Sequence, residues 1–147
     1  WRVVAAVLVI GSIVAGFSVL GTPASQRMLR YDSQKVSDLQ TIQWQIVNYW
    51  QQKGMLPTAL QELEDPISGF TMPLDPQTGK LYEYKKTANL SFDLCADFNK
   101  SMTATDSMAR VVSPEFGGKG ESWQHEAGRQ CFSRTIDPEL YPVRPKQ

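Results

Sequence analysis

A single histidine, His125, bounds the chemistry available to this 147-residue chain. With Glu121, Glu126 and Cys131 nearby it could be drawn into a metal site. One histidine without a paired short spacing is a poor match to zinc ligation, however, and a surface or hydrogen-bonding role fits it better. A serine or cysteine nucleophile would need the same imidazole as its base. No GxSxG elbow, P-loop or GxGxxG accompanies it. Glu62, Glu64 and Asp65 fall on a short solvated helix, where grouped acids are ordinarily surface. Asp93, Asp97 and Asn99 invite a calcium reading, but the spacing lacks the glycine and the later glutamate of a recognised loop. These residue types point away from an enzyme, and no metal or cofactor is expected.

The four tryptophans and five tyrosines are read chiefly as core rings. Trp44 and Trp50 stand six residues apart, so they do not share a narrow helical stripe. One is expected on the sheet and the other at its edge.

The element that must position everything else is apolar. Val3 to Leu20 reads VVAAVLVIGSIVAGFSVL, 18 residues without a charge. That is the low end of what a helix needs to cross roughly 30 Å of hydrocarbon. Its polar atoms are backbone groups and two serines, all satisfiable inside a helix. Gly11 and Ala15, or Ser12 and Gly16, make small-xxx-small pairs that permit close helix packing in the membrane. A cleaved signal peptide competes, with Thr22 and Ala24 at small-residue cleavage positions. The run exceeds the usual ~7–15-residue signal core, which favours a retained anchor.

Charge excludes one partner class. Fifteen basic residues balance fifteen acidic ones; without Arg2 the remainder carries 14 against 15, a net of −1. There is no basic stripe, so nucleic acid is not an expected partner. Arg2 stands on one side of the apolar run and Arg27, Arg30 and Lys35 on the other, interleaved with Asp32 and Asp38. Charge therefore leaves the orientation open. Cys95 and Cys131 are the only cysteines and lie outside the run. One long-range disulfide in an oxidising compartment is the favoured reading, two buried free thiols the other.

Beyond Pro23 the spacing predicts a helix from Ala24 to about Lys53, with Met28, Leu29, Val36, Leu39, Ile42, Ile46 and Tyr49 or Trp50 on one stripe. Gly54 is placed to end it. Thr58-Ala59-Leu60-Gln61 reads as a capping box opening a short helix to about Glu64, which Asp65-Pro66 stops. Pro73 to Gly79 is a turn. Alternation predicts strands over Lys80–Lys86 and Leu90–Phe98, joined as an antiparallel hairpin. Val111-Val112 is an apolar island and Phe116 to Gly120 a flexible stretch. Trp123 to Phe132 offers an edge strand or short helix. The prolines after Asp137 predict an extended tail.

The expected fold class is α+β: a transmembrane helix over residues 1–22, an extracytoplasmic domain over 23–136, and a proline-rich tail over 137–147. A long amphipathic helix packs on a small antiparallel sheet, with Leu39, Ile42, Ile46, Leu60, Leu63, Tyr82, Phe92 and Leu94 in the core.

Three passages carry a resemblance: Gly54-Met55-Leu56-Pro57-Thr58-Ala59-Leu60, then Pro73-Leu74-Asp75-Pro76-Gln77-Thr78-Gly79-Lys80-Leu81-Tyr82-Glu83-Tyr84, then Phe92-Asp93-Leu94-Cys95. In this order, behind an apolar and then an amphipathic helix, they resemble type IV pilins and type II secretion pseudopilins over roughly residues 30–98. Asp38-Leu39-Gln40-Thr41-Ile42-Gln43 is also similar to a passage of uncharacterised bacterial membrane proteins. The pilin start has a glutamate five residues into the mature helix; here no glutamate precedes Glu62. The resemblance thus implies the fold more than filament assembly. It implies a non-enzymatic, membrane-anchored structural or interaction subunit of a bacterial envelope assembly, exposed at the cell surface or in the periplasm. Its expected partners are membrane lipid and proteins, or its own copies met through the membrane helix. The competing class is an extracytoplasmic sensing or ligand-binding module of a larger multi-span membrane protein.

Overall fold

Two helices come first in the chain. In the computed structural model, which describes residues 1–20, 23–67, 69–102 and 122–144, α1 runs Arg2–Leu20 and α2 runs Pro23–Lys53. Three strands follow, β1 Glu83–Lys86, β2 Ser91–Phe98 and β3 Gly128–Thr135, forming an antiparallel sheet in the order β1-β2-β3. The class is α+β, a long helix against a small three-stranded antiparallel sheet. The Val111-Val112 island, the stretch from Phe116 to Gly120, and Glu121 lie outside the described residues.

In α1 the side chains from Arg2 to Ser12 are all exposed. That stretch makes about three turns. Among the described residues no helix is long and apolar enough to cross a membrane. A Cβ placed on Gly11 or Gly16 would meet nothing within 4 Å, and the Ser12 hydroxyl bonds back to the Val9 carbonyl at 2.8 Å. Among the described residues nothing therefore packs on Gly11 or Gly16. The side chain of Ala15 lies outside the described residues.

The apolar stripe of α2 buries its second half as its period predicts. Leu39, Ile42 and Ile46 are completely buried against Phe92, Leu94, Leu60 and Leu63. Removing each such side chain from water stabilises the fold by about 1.5–3 kcal/mol. The stripe fails at its start: Met28 is exposed and Leu29 only half-buried. Trp50 packs at the edge of the core, while Trp44 is 40% exposed. Gly54 ends α2 with φ 71°, which a side chain would strain.

Three local expectations need correction. The capping box slips by one residue: a single 3-10 turn, Leu60–Leu63, replaces the helix, and Ala59 at its start supplies no side-chain cap. Glu62, rather than Gln61, reaches back to the N–H of Thr58 at 3.3 Å and to its hydroxyl. Turning Leu60 and Leu63 into the core leaves only Glu62 on the side facing Thr58. The first strand is also shorter than predicted, since Leu81 bridges Leu74 across the turn instead of joining β2. The second strand begins at Ser91, not Leu90.

The segment holding Cys131 resolves to a strand. β3 pairs with β2 from Ser91 opposite Thr135 to Phe98 opposite Gly128. The tail bends at Asp137–Tyr141 through a 2.9 Å backbone bond and then follows the end of α2. There the indole N–H of Trp50 donates to the Tyr141 carbonyl at 3.0 Å, and the N–H of Arg144 donates to the Gln51 carbonyl at 2.7 Å.

Candidate functional site

The densest chemistry sits where the early turns of α2 meet the turn ahead of β1 and the last residues of β2. Helical spacing puts Asp32, Lys35 and Asp38 in line with Leu39 and Ile42. All three charged residues are buried, Lys35 to 2% exposure. The Lys35 ammonium donates to the Gln77 side-chain oxygen at 2.6 Å and the Asp97 carbonyl at 2.6 Å, and pairs with Asp75 at 3.3 Å. Its three N–H groups therefore have three oxygens.

Asp75 belongs to the Pro73–Gly79 turn, and its other carboxylate oxygen caps that turn, taking the N–H groups of Gln77 at 2.7 Å and Thr78 at 3.0 Å. Burial alone would raise its pKa. The two backbone N–H groups and the Lys35 ammonium outweigh burial and hold the carboxyl below its ordinary value. Asp32 receives the N–H of Asn99 at 2.9 Å, its side-chain amide at 2.8 Å and the N–H of Lys100 at 3.0 Å. Asp38 receives the Tyr82 hydroxyl at 2.7 Å and the Gln34 amide at 2.8 Å. Burial and the Asp38 carboxylate push the Tyr82 phenol far upward, so it stays a donor.

Chemically this cluster is a fastener. The ammonium is surrounded by acceptors and the carboxylates by donors. Lys35, Asp32 and Asp38, which the sequence shows only as mixed charges beyond the apolar run, are thus buried in the fold. Among the described residues no group of histidine, cysteine, aspartate and glutamate is placed to hold a metal. Of the residues that invite a calcium reading, Asp93 accepts from Ser133 at 2.7 Å, while Asn99 donates to Asp32 and Gln77.

His125 is corrected from surface to core. It is 5% exposed and stacks on Phe98 with ring centroids 3.7 Å apart. Among the described residues neither ring nitrogen has a hydrogen bond of normal geometry. Burial lowers its pKa, against a weaker opposing pull from the Asp32 carboxylate and the backbone of Glu126 and Lys100. Cys131, its imagined partner, is held elsewhere.

Cys95 and Cys131 stand opposite each other on β2 and β3, with Sγ atoms 2.07 Å apart, a disulfide distance. Beside them the exposed Arg129 guanidinium grips Glu83 at 2.8 and 3.1 Å. On the opposite face, Arg134 lies 4.4 Å over the Trp123 ring and donates to Gln43 at 3.1 Å and to the Ser122 carbonyl at 3.0 Å. The sequence reading missed Lys35, Asp75 and Arg134. The available signal was charge in register with the apolar stripe of α2, or with the buried face of β3.

Compared with known proteins, the chain matches no family, no curated protein and no solved structure.

Proposed function

We propose that this chain is a non-enzymatic, membrane-anchored subunit of pilin or pseudopilin type. In this reading the uncharged run of α1 is seated in lipid, though no described helix is long and apolar enough to cross a membrane alone, and the α+β domain stands outside the cytoplasm, as part of an envelope assembly. The observation that carries the reading is α1 itself. The uncharged run Val3–Leu20 coincides with one helix, and Val3, Val4, Val7, Leu8, Val9 and Ile10 are 57–76% exposed. Hydrocarbon is the medium that accepts such a surface. The order of a leading apolar helix, a long helix burying its second half, and a small antiparallel sheet supports the pilin-type architecture. The Cys95–Cys131 pair supports an oxidising compartment.

The test is fractionation of the full chain expressed in bacteria. An anchored subunit stays with membranes through alkaline carbonate and leaves only with detergent, and its cysteines take up a membrane-impermeant maleimide only after reduction. Release into the soluble fraction without detergent would remove the anchor, direct labelling without reductant would remove the disulfide, and no labelling of intact cells even after reduction would remove the compartment.

A further inference from the structure

The burial of Asp32, Lys35 and Asp38 changes the charge balance at the start of α2. In the sequence those acids offset Arg27 and Arg30; in the fold they face inward, and the carboxylates are occupied by Asn99, Lys100, Gln34 and Tyr82. Arg27 and Arg30 are exposed, and neither forms an ion pair among the described residues. A third cation joins them from the end of β2. The Lys100 ammonium donates to the Ser25 hydroxyl, which brings it beside the first turn of α2.

The three cations surround the helix. Ser25 and Asp32, the two residues Lys100 touches, are seven apart and share a face. Arg27 and Arg30 lie roughly 140–200° around the helix from Ser25. Chain connectivity alone keeps Ser25 within about 18 Å of Leu20, the last residue of the apolar run. No acid occurs between Leu20 and Asp32.

We propose that Arg27, Arg30 and Lys100 form a basic collar that binds the phosphate headgroups of anionic phospholipids at the foot of the domain. The collar rests on the anchored reading and deepens it: α1 supplies attachment, and the collar supplies preference among lipids. Each cation held at an anionic surface favours the charged lipid about fivefold before screening. Three guanidinium or ammonium groups spread around one helix meet a plane of headgroups rather than a single one. Salt weakens the preference, because Arg27 and Arg30 are solvent-exposed and Lys100 is partly so.

The experiment reconstitutes the full chain in phosphatidylcholine bilayers and adds spin-labelled phosphatidylglycerol or spin-labelled phosphatidylcholine in trace amounts. The motionally restricted fraction of each label gives their relative association with the protein. We expect phosphatidylglycerol to be favoured by about threefold or more, with the preference lost in 0.5 M salt and in R27Q/R30Q/K100Q, and retained in R27K/R30K. Equal restriction of both labels in the unaltered chain overturns the collar while leaving the anchor intact. A preference that survives the triple substitution overturns it too, and assigns the selectivity elsewhere. If neither label is restricted, the chain is not in the bilayer and the anchor falls together with the collar.

Discussion

Two consecutive stretches of α2 meet the sheet side of the domain by opposite means. Leu39 to Val47 presses aliphatic side chains onto Phe92, Leu94 and the Leu60–Leu63 turn. Asp32 to Asp38 meets β2 and the Pro73–Gly79 turn through ions and hydrogen bonds. The apolar stretch supplies most of the favourable free energy, because burial of hydrocarbon is additive and indifferent to direction. The polar stretch supplies position. If α2 slid by one turn, aliphatic contacts would re-form with new neighbours, but a buried ammonium and two buried carboxylates would lose their partners.

The largest effect should come from breaking the apolar side. Phe92→Ala is expected to cost about 3–5 kcal/mol, read as a fall in the urea midpoint, since Phe92 is 1% exposed at the centre of the core. On the polar side, Lys35→Met should cost a comparable 3–5 kcal/mol by leaving Asp75 buried without its cation. The comparison sharpens with Lys35→Met/Asp75→Leu, which should recover most of that loss. Equal instability of the single and double variants would mean the pair supplies net energy as well as position. Replacing both Cys95 and Cys131 with serine should cost about 2–4 kcal/mol, because the 36-residue separation they close widens the unfolded ensemble. Thermal unfolding with and without reductant checks it.

The smallest expected effect is a pH dependence at the rear of the polar side, where His125 stacks on Phe98. Its pKa is lowered in the folded chain, so below its ordinary value near 6.5 the unfolded chain takes a proton that the folded chain refuses. Stability should fall as pH drops from 6.5 toward 4.5. Asp75 and Glu62, both lowered from ordinary values of 3.8 and 4.5, lose their contributions only below that window. The urea midpoint of His125→Leu should be flat across it; an unchanged slope would assign the effect to another group.

The apolar side was legible in the sequence because Leu39, Ile42 and Ile46 keep a helical period and Phe92, Leu94, Ala96 and Phe98 alternate without interruption. The polar side was not, although Asp32 and Lys35 continue the same stripe. A charged residue on a core-facing position reads as solvated unless its partner is known, and Asp75, Gln77 and Asp97 lie 40 or more residues away in sequence. The capping-box slip has a local cause: Leu60 and Leu63 dictate which way the turn faces, and a box pattern carries no information about that. His125 sits between Gln124 and Glu126, neighbours that advertise a surface. Its burial depends on Phe98, at the end of β2.

The return of the tail to α2 bears on how the chain reaches its final shape. Trp50 waits for Tyr141 across 91 residues, Gln43 for Arg134 across 91, and the side chain of Gln51 for that of Arg144 across 93. Such sequence-distant closures slow folding, because the loop entropy is lost before the contacts reward it. While the ribosome is still at work, α2 has emerged with bare hydrocarbon and unmated charges along one side. It acquires the neighbours Arg134, Tyr141 and Arg144 only after about ninety further residues have followed.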